Sequence, residues 1–269
     1  MKRVAIALLA GVAAVAGVGY SASAADLAVA APPPPAPSWT GFYAGVHAGA
    51  AWQSTPGWTY NDPNVAATPG VLSSVNSGGN AALGGVGGFQ VGYNWQFAPA
   101  WVAGIEGDIS WASLSDRRNA GPILTVLNPP PSTVSMSANT EWLSSVRAKL
   151  GFVGWWNTMF YVTGGGAWAN IEYAAQATIP AGSGGAPTTF TAVNSFNTTK
   201  SGWVIGGGAE WMATTNILLR AEYLYYNLNA SEGASAQYAP LNATLLAPLN
   251  FGWSNYNVQV FRIAGSYKF

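Results

Sequence analysis

Nine ionisable residues sit inside stretches that alternate between apolar and polar side chains: Glu106, Asp108, Arg147, Lys149, Glu210, Arg220, Glu222, Arg262 and Lys268. Carboxylates and cations on such stretches can do acid–base chemistry, line an ion path, or pair with one another to hold a structure together. Nucleophilic catalysis has little to draw on. His47 is the only histidine, so a Ser-His-Asp arrangement must use it or not exist. It falls near the middle of its segment, on one face with Tyr43 and Gly45, where a hydrogen-bonded structural histidine is expected. There is no cysteine, hence no disulfide, lipid-attachment or thiolate metal site, and one histidine leaves no metal set. Gly84-Gly85-Val86-Gly87-Gly88 and Gly206-Gly207-Gly208 look like phosphate loops only superficially, because no helix follows either. Glycines there relieve crowding in a tightly curved sheet. No catalytic residue, cofactor or metal is expected.

The elements that must position these charges follow a period of two. Phe42 to Trp52, Phe89 to Phe97, Trp101 to Trp111 and Trp142 to Phe152 each alternate, as do Trp203 to Trp211, Ile217 to Tyr225 and Phe261 to Phe269. Met159 to Tyr173 is weaker, since Gly164-Gly165-Gly166 blurs its two faces. These eight segments are close to the 9–11 residues a tilted membrane strand needs. Their connections alternate strictly. Ala98 to Ala100, Val153 to Thr158 and Ala213 to Asn216 are short. Gln53 to Ala82, Leu114 to Thr140, Ala174 to Lys200 and Leu228 to Ser254 are long and rich in Gly, Pro, Ser, Thr and Asn. That is the pattern of an outer-membrane barrel with short periplasmic turns and four long extracellular loops. The expected fold is all-β, an eight-stranded antiparallel transmembrane β-barrel, with ten strands, using Pro187 to Val193, as the alternative.

Composition agrees. Only 7 % of residues are charged while 13 % are aromatic, and beyond the N-terminus no apolar run reaches the roughly 20 residues of a membrane helix. Disorder is excluded by the aromatics, and a nucleic-acid partner by ten acids balancing ten bases. A soluble lipocalin-like barrel would turn its apolar faces inward and its charges to water, which the scarcity of charge and the aromatic strand ends oppose. At the N-terminus, Lys2-Arg3, an apolar stretch from Val4 to Val18 and Ala22-Ser23-Ala24 predict a signal peptide over residues 1–24. Residues 25–38 form an Ala/Pro-rich periplasmic linker, and residues 39–269 the barrel domain.

With apolar faces toward lipid, the charges converge in the lumen. Paired residues on antiparallel strands share a constant sum of numbers. Glu106 with Lys149 and Asp108 with Arg147 fit one register. Glu210 faces Arg220 across a three-residue turn, and Glu222 faces Arg262. A ladder of such pairs fills so small a bore. The alternative is a narrow ion or solute path lined by both signs of charge.

Several stretches resemble a known family. Trp39-Thr40-Gly41-Phe42-Tyr43-Ala44-Gly45, Gly104-Ile105-Glu106-Gly107-Asp108, Trp142 to Gly151 and Tyr161 to Trp168 are similar to recurring strand motifs of alphaproteobacterial outer-membrane immunogenic proteins. So are Lys200-Ser201-Gly202-Trp203, Ala221-Glu222-Tyr223-Leu224-Tyr225 and Arg262 to Phe269. These are the porin-like proteins of the 25- and 31-kilodalton type, grouped with OmpA-like transmembrane barrels. The resemblance spans residues 39–269 and implies a surface-exposed, antigenic envelope protein of the outer membrane without agreed chemistry. Some members bind haemin, but no residue pattern here carries that property over, so a haemin or small-ligand receptor stands only as an alternative. The ending Tyr267-Lys268-Phe269 resembles the signal read by the barrel assembly machinery, with Tyr267 and Phe269 as its aromatic positions. Outer-membrane lipid, lipopolysaccharide and an extracellular or host ligand at the loops are the other expected partners.

Overall fold

In a computed structural model, the structure describes residues 37–54, 57–61, 82–123, 132–180, 189–237, 239 and 248–269. The predicted signal peptide and most of the linker lie outside them. The strands are β1 (Gly41–Gln53), β2 (Trp58–Asn61), β3 (Ala82–Ala98), β4 (Trp101–Ile123), β5 (Ser132–Val153) and β6 (Thr158–Ile179). They continue as β7 (Phe190–Met212), β8 (Ile217–Leu228), β9 (Glu232–Ala236), β10 (Leu249–Trp253) and β11 (Tyr256–Lys268). Eight of them close into a barrel in the order β1-β11-β8-β7-β6-β5-β4-β3, every neighbour antiparallel. Closure runs from Tyr43 opposite Lys268 to Gln53 opposite Val258, so the barrel has no open edge there.

Alternation decides which face meets lipid. Ile105, Val162 and Ile263 are 57 %, 63 % and 61 % exposed, whereas Glu106 and Arg147 are 3 % and 1 %. This is the inverse of a soluble barrel. On β6 the two faces also separate cleanly: Met159, Tyr161 and Thr163 point inward, Phe160 and Val162 outward. Trp101 and Trp111 stand ten residues apart on β4, which in a tilted strand spans about 25 Å, the height of an apolar membrane band. Trp111 faces Trp142, and Trp101 packs on Phe152 at 5.5 Å, giving an aromatic belt at each end of that band.

Above the Trp111 level the alternation inverts. Leu114, Met136, Ile171, Tyr173 and Ala192 turn inward, while Ser115, Asn139, Glu172 and Asn197 turn outward. Water has replaced lipid outside, so polar residues now take the outer face. The two long connections expected from Leu114 to Thr140 and from Ala174 to Lys200 are therefore largely strand, because β4–β5 and β6–β7 continue past the membrane level. Of the stretch Pro187 to Val193, Pro187 and Thr188 lie outside the described residues and Phe190 to Val193 is the start of β7, so the closed barrel has eight strands and not ten.

The other two long connections contribute a second sheet of order β2-β10-β9. Its apolar side carries Trp58, Tyr60, Phe251 and Trp253, and these join the same buried cluster as the wall residues Val86, Leu143, Val204 and Val260. Trp253 lies 5.0 Å from Tyr173 and 6.0 Å from Phe196, tying sheet to wall. The Tyr173 hydroxyl donates to the Ala230 carbonyl at 2.7 Å, and Asn194 Nδ2 donates to the Ser235 carbonyl at 2.8 Å. Lys200 pairs with Glu232. Burial, reinforced by the Glu232 carboxylate, pushes the Tyr173 phenol well above its ordinary pKa.

Candidate functional site

The inward face of the barrel gathers four acids and four bases into one web. Arg147 Nη2 donates to Glu106 Oε1 at 2.5 Å and Asp108 Oδ2 at 3.1 Å, and Arg147 Nη1 donates to Glu222 Oε2 at 3.0 Å. Arg262 Nε donates to Glu222 Oε1 at 2.7 Å and its Nη1 to Asp108 Oδ1 at 3.2 Å. Arg220 holds Glu106 Oε2 through Nη1 at 2.6 Å and Glu210 Oε2 through Nε at 2.8 Å. Lys149 Nζ reaches Glu210 Oε2 at 3.3 Å and the Tyr43 hydroxyl at 3.2 Å. All eight charged side chains are buried. Charge is balanced, which is the condition under which buried ions persist.

Two tyrosines complete the web. Tyr43 donates to Glu106 Oε2 at 2.6 Å and Tyr161 to Glu222 Oε2 at 2.8 Å. The Lys149 ammonium also lies 4.9 Å and 5.1 Å from their ring centroids, the range of a cation–π contact. Toward the periplasmic end the two tyrosines pack with Trp39, Val102, Met159 and Leu218 in an apolar cluster. The charged layer is thus bounded below by one apolar cluster and above by the cluster that includes the β2-β10-β9 sheet.

Space for these side chains comes from inward glycines. A Cβ at Gly165 would stand 2.0 Å from the Val146 carbonyl oxygen and 2.8 Å from Arg147 Cα, so only glycine lets β5 and β6 approach behind Arg147. Gly49 is equally restricted, with the Phe261 carbonyl oxygen 2.1 Å from such a Cβ.

His47 borders the web. Its Nε2 lies 2.8 Å from Ser110 Oγ and 3.3 Å from Arg262 Nη1, and its Nδ1 lies 3.2 Å from Gln90 Oε1. Because Arg262 can only donate, Nε2 is an acceptor and the proton sits on Nδ1, directed at Gln90. Gln90 Nε2 in turn donates to Ser266 Oγ at 2.9 Å. This is the buried, hydrogen-bonded histidine expected from the sequence. A Ser–His contact exists, but an amide stands where a triad has its carboxylate, and Ser110 is itself buried. Among the described residues no group of three or more His, Cys, Asp or Glu is arranged to hold a metal ion.

The structure brings together all eight charges of the expected ladder, with a different wiring. Glu210 does face Arg220, and Glu222 faces Arg262. Ala213 N donates to the Ile217 carbonyl at 2.9 Å, closing the three-residue turn. Between β4 and β5 the register is displaced by two: Glu106 faces Arg147, Gly104 faces Lys149 and Asp108 faces Ser145. An even displacement keeps every side chain on its face, so the apolar pattern does not discriminate between the two registers. The observed one places Arg147 within reach of Glu106 and Asp108 together. Most contacts also cross the bore, from β4 to β8 and β11 and from β5 to β7 and β8, so the ladder is a web. Lys268 stands apart, donating to the Ser38 carbonyl near the periplasmic rim. Tyr43, Tyr161 and Ser145 have no expected role in the sequence, although their positions on charged faces were the available signal.

The family match agrees with this architecture. Residues 10–269 match the outer membrane protein beta-barrel domain family. The chain is 32 % identical over 259 residues to the 31 kDa outer-membrane immunogenic protein of Brucella melitensis biotype 1, covering 93 % of this chain and 94 % of that one. The same protein of Brucella suis biovar 1 matches to the same extent. Among solved structures, the outer membrane protein OprG from Pseudomonas aeruginosa aligns with a TM-score of 0.39 at 11 % identity, covering 86 % of this chain and 96 % of that one. The attachment invasion locus protein Ail of Yersinia pestis aligns with a TM-score of 0.33 at 14 % identity, covering 86 % and 99 %. A closed barrel with lipid-facing apolar residues, matched along nearly its whole length, belongs to the outer membrane protein beta-barrel family and resides in the outer membrane.

Proposed function

We propose that this protein is a structural and surface-interaction barrel of the cell envelope, non-enzymatic, with its lumen closed to solutes. The observation that carries the reading is the balanced charge web, in which four buried carboxylates are each held by at least one buried cation. A water-filled path would need those charges hydrated and facing an opening, whereas here they neutralise one another across the bore. Apolar clusters on both sides of the layer support closure further. Against catalysis stand the buried Ser110–His47 contact and the Arg262 guanidinium occupying the same imidazole nitrogen.

Interaction is then the task of the outside. Outer-membrane lipid and lipopolysaccharide surround the apolar band, and an extracellular or host ligand would meet the strand extensions and the loops that join them. Antigenicity, part of the name of the Brucella relatives, fits such an exposed region. During biogenesis, Tyr267 and Phe269 serve as the signal for the barrel assembly machinery. They are 53 % and 74 % exposed on the outer face and stack edge-on at 5.3 Å, open to a partner before lipid surrounds them.

Swelling of vesicles carrying the refolded protein tests the closed lumen. Uptake of small neutral sugars and amino acids is expected at the rate of empty vesicles. Swelling graded by solute size would replace this reading with a narrow porin-like channel.

A further inference from the structure

The tryptophans near the periplasmic end are of two kinds. Trp95, Trp101 and Trp211 face outward and are exposed, as an interfacial belt requires. Trp39 faces inward and is buried, in the apolar cluster with Met159 and Leu218. It belongs to no strand, since the β1–β3 ladder begins at Gly41 opposite Asn94. Three features place it there. It shares the odd-numbered face of the lumen-directed Tyr43 and His47. Gly41, between Trp39 and Tyr43, has φ 148°, a conformation that residues with a side chain rarely adopt. A Cβ at Gly41 would also stand 3.0 Å from the Phe269 carbonyl oxygen. Finally, the β3–β4 register slips just after Gln96, and a slip of this kind re-aims the residues beside it. Trp39 N donates to Gln96 Oε1 at 3.0 Å, Gln96 N donates to Thr40 Oγ1 at 3.0 Å, and Gln96 Nε2 is fixed on the Pro99 carbonyl at 2.8 Å.

This lead-in is fastened differently from the barrel. The strands are joined by repeated backbone bonds, whereas Ser38, Trp39 and Thr40 are tied to the wall through side chains. Gln96 and Thr40 make the tie on one side, and Lys268, donating to the Ser38 carbonyl, makes it on the other. Pro37 precedes them and has no N–H with which to extend a ladder. Trp39 can therefore leave the bore by breaking a few side-chain contacts while every barrel strand stays paired. With its ring withdrawn, the apolar cluster below the charge web loses its largest member. We propose that Trp39 is a removable stopper, pivoting at Gly41 and latched by Gln96, that controls access from the periplasm to the charged layer. The proposal rests on the closed-lumen reading and adds the end of the bore at which closure is released.

The chain has no cysteine, so a single introduced cysteine reports access to the bore without background. Met159→Cys probes the cluster that holds Trp39, and Leu143→Cys the apolar cluster on the other side of the web. The full chain refolded into nanodiscs is treated with a charged, membrane-impermeant methanethiosulfonate. Both reporters are expected to stay protected while Trp39 is latched. Trp39→Ala should speed modification of Met159→Cys at least about tenfold, and Gln96→Ala, which keeps the ring but frees it, about fivefold, the weight of one lost hydrogen bond. Trp39→Phe should restore most of the protection, and Leu143→Cys should stay protected in all three. Each variant is checked for the heat-modifiable folded band. An unchanged rate at Met159→Cys in either alanine variant, a fast rate with Trp39 latched, or equal exposure of Leu143→Cys in Trp39→Ala would each overturn the stopper. Fast modification of Leu143→Cys with Trp39 latched would overturn the closed lumen and the stopper together.

Discussion

Arg147 contacts three carboxylates at once, through two nitrogens that reach Glu106, Asp108 and Glu222. Its removal would leave three buried acids short of a cation. Arg147→Met is therefore expected to lower stability by about 3–5 kcal/mol, the range for breaking a buried ion pair by deleting one partner. Lys149→Met should cost clearly less, because Glu210 keeps its ion pair with Arg220, including the hydrogen bond from Arg220 Nε. Urea midpoints of the folded band in detergent check the order, and equal midpoints would contradict the web. Which residues enter the lumen was legible from alternation alone, down to all eight charges. Their partners were legible only across the short turn, where Glu210 and Arg220 are bound by loop length, and on β8–β11. Between β4 and β5 no short turn restrains the register, and two even alignments place the same residues inward. Contacts across the bore, such as Arg220 with Glu106, depend on closure of the whole ring and have no neighbour-strand signature.

At the scale of elements, glycine positions report how closely strands approach. Gly165→Ala on β6 is expected to prevent folding or cost more than about 2 kcal/mol, since its Cβ has no room against β5. Gly85→Ala on β3 meets nothing within 4 Å and should be neutral or stabilising by about 0.5–1 kcal/mol. Refolding yield and urea midpoint separate the two. The turn between β5 and β6 holds Trp156 at φ 54° and ψ 40°, a left-handed conformation unusual for a bulky residue, with the side chain 91 % exposed. Trp156→Gly should relieve about 1 kcal/mol of strain, seen as a higher urea midpoint in detergent, where no lipid interface compensates. The strand extensions escaped sequence reading because their pattern inverts at the tryptophan belt. A search for apolar residues facing out finds Ser115, Asn139 and Asn197 there and stops. The strands β2, β9 and β10, only four or five residues each, are too short for alternation to stand out.

For the molecule as a whole, the layers act together: aromatic belts set its height, the charge web fills its middle, and apolar clusters bound that web on both sides. Assembly and final stability separate at the C-terminus. Deleting Phe269 removes an exposed ring and one backbone bond to Phe42. The truncated chain is expected to accumulate unassembled in cells while the purified protein refolds in detergent at near-parental yield, both read by heat-modifiable mobility on gels. Closure of the lumen is read by planar-bilayer conductance of the refolded protein, with Arg147→Met and a Glu106→Ala, Lys149→Ala double variant alongside. A silent parent bilayer is expected, with openings confined to variants that break the web. Steady, reproducible openings of the parent protein, altered by the same substitutions, would contradict closure and make the charged lumen a conducting path.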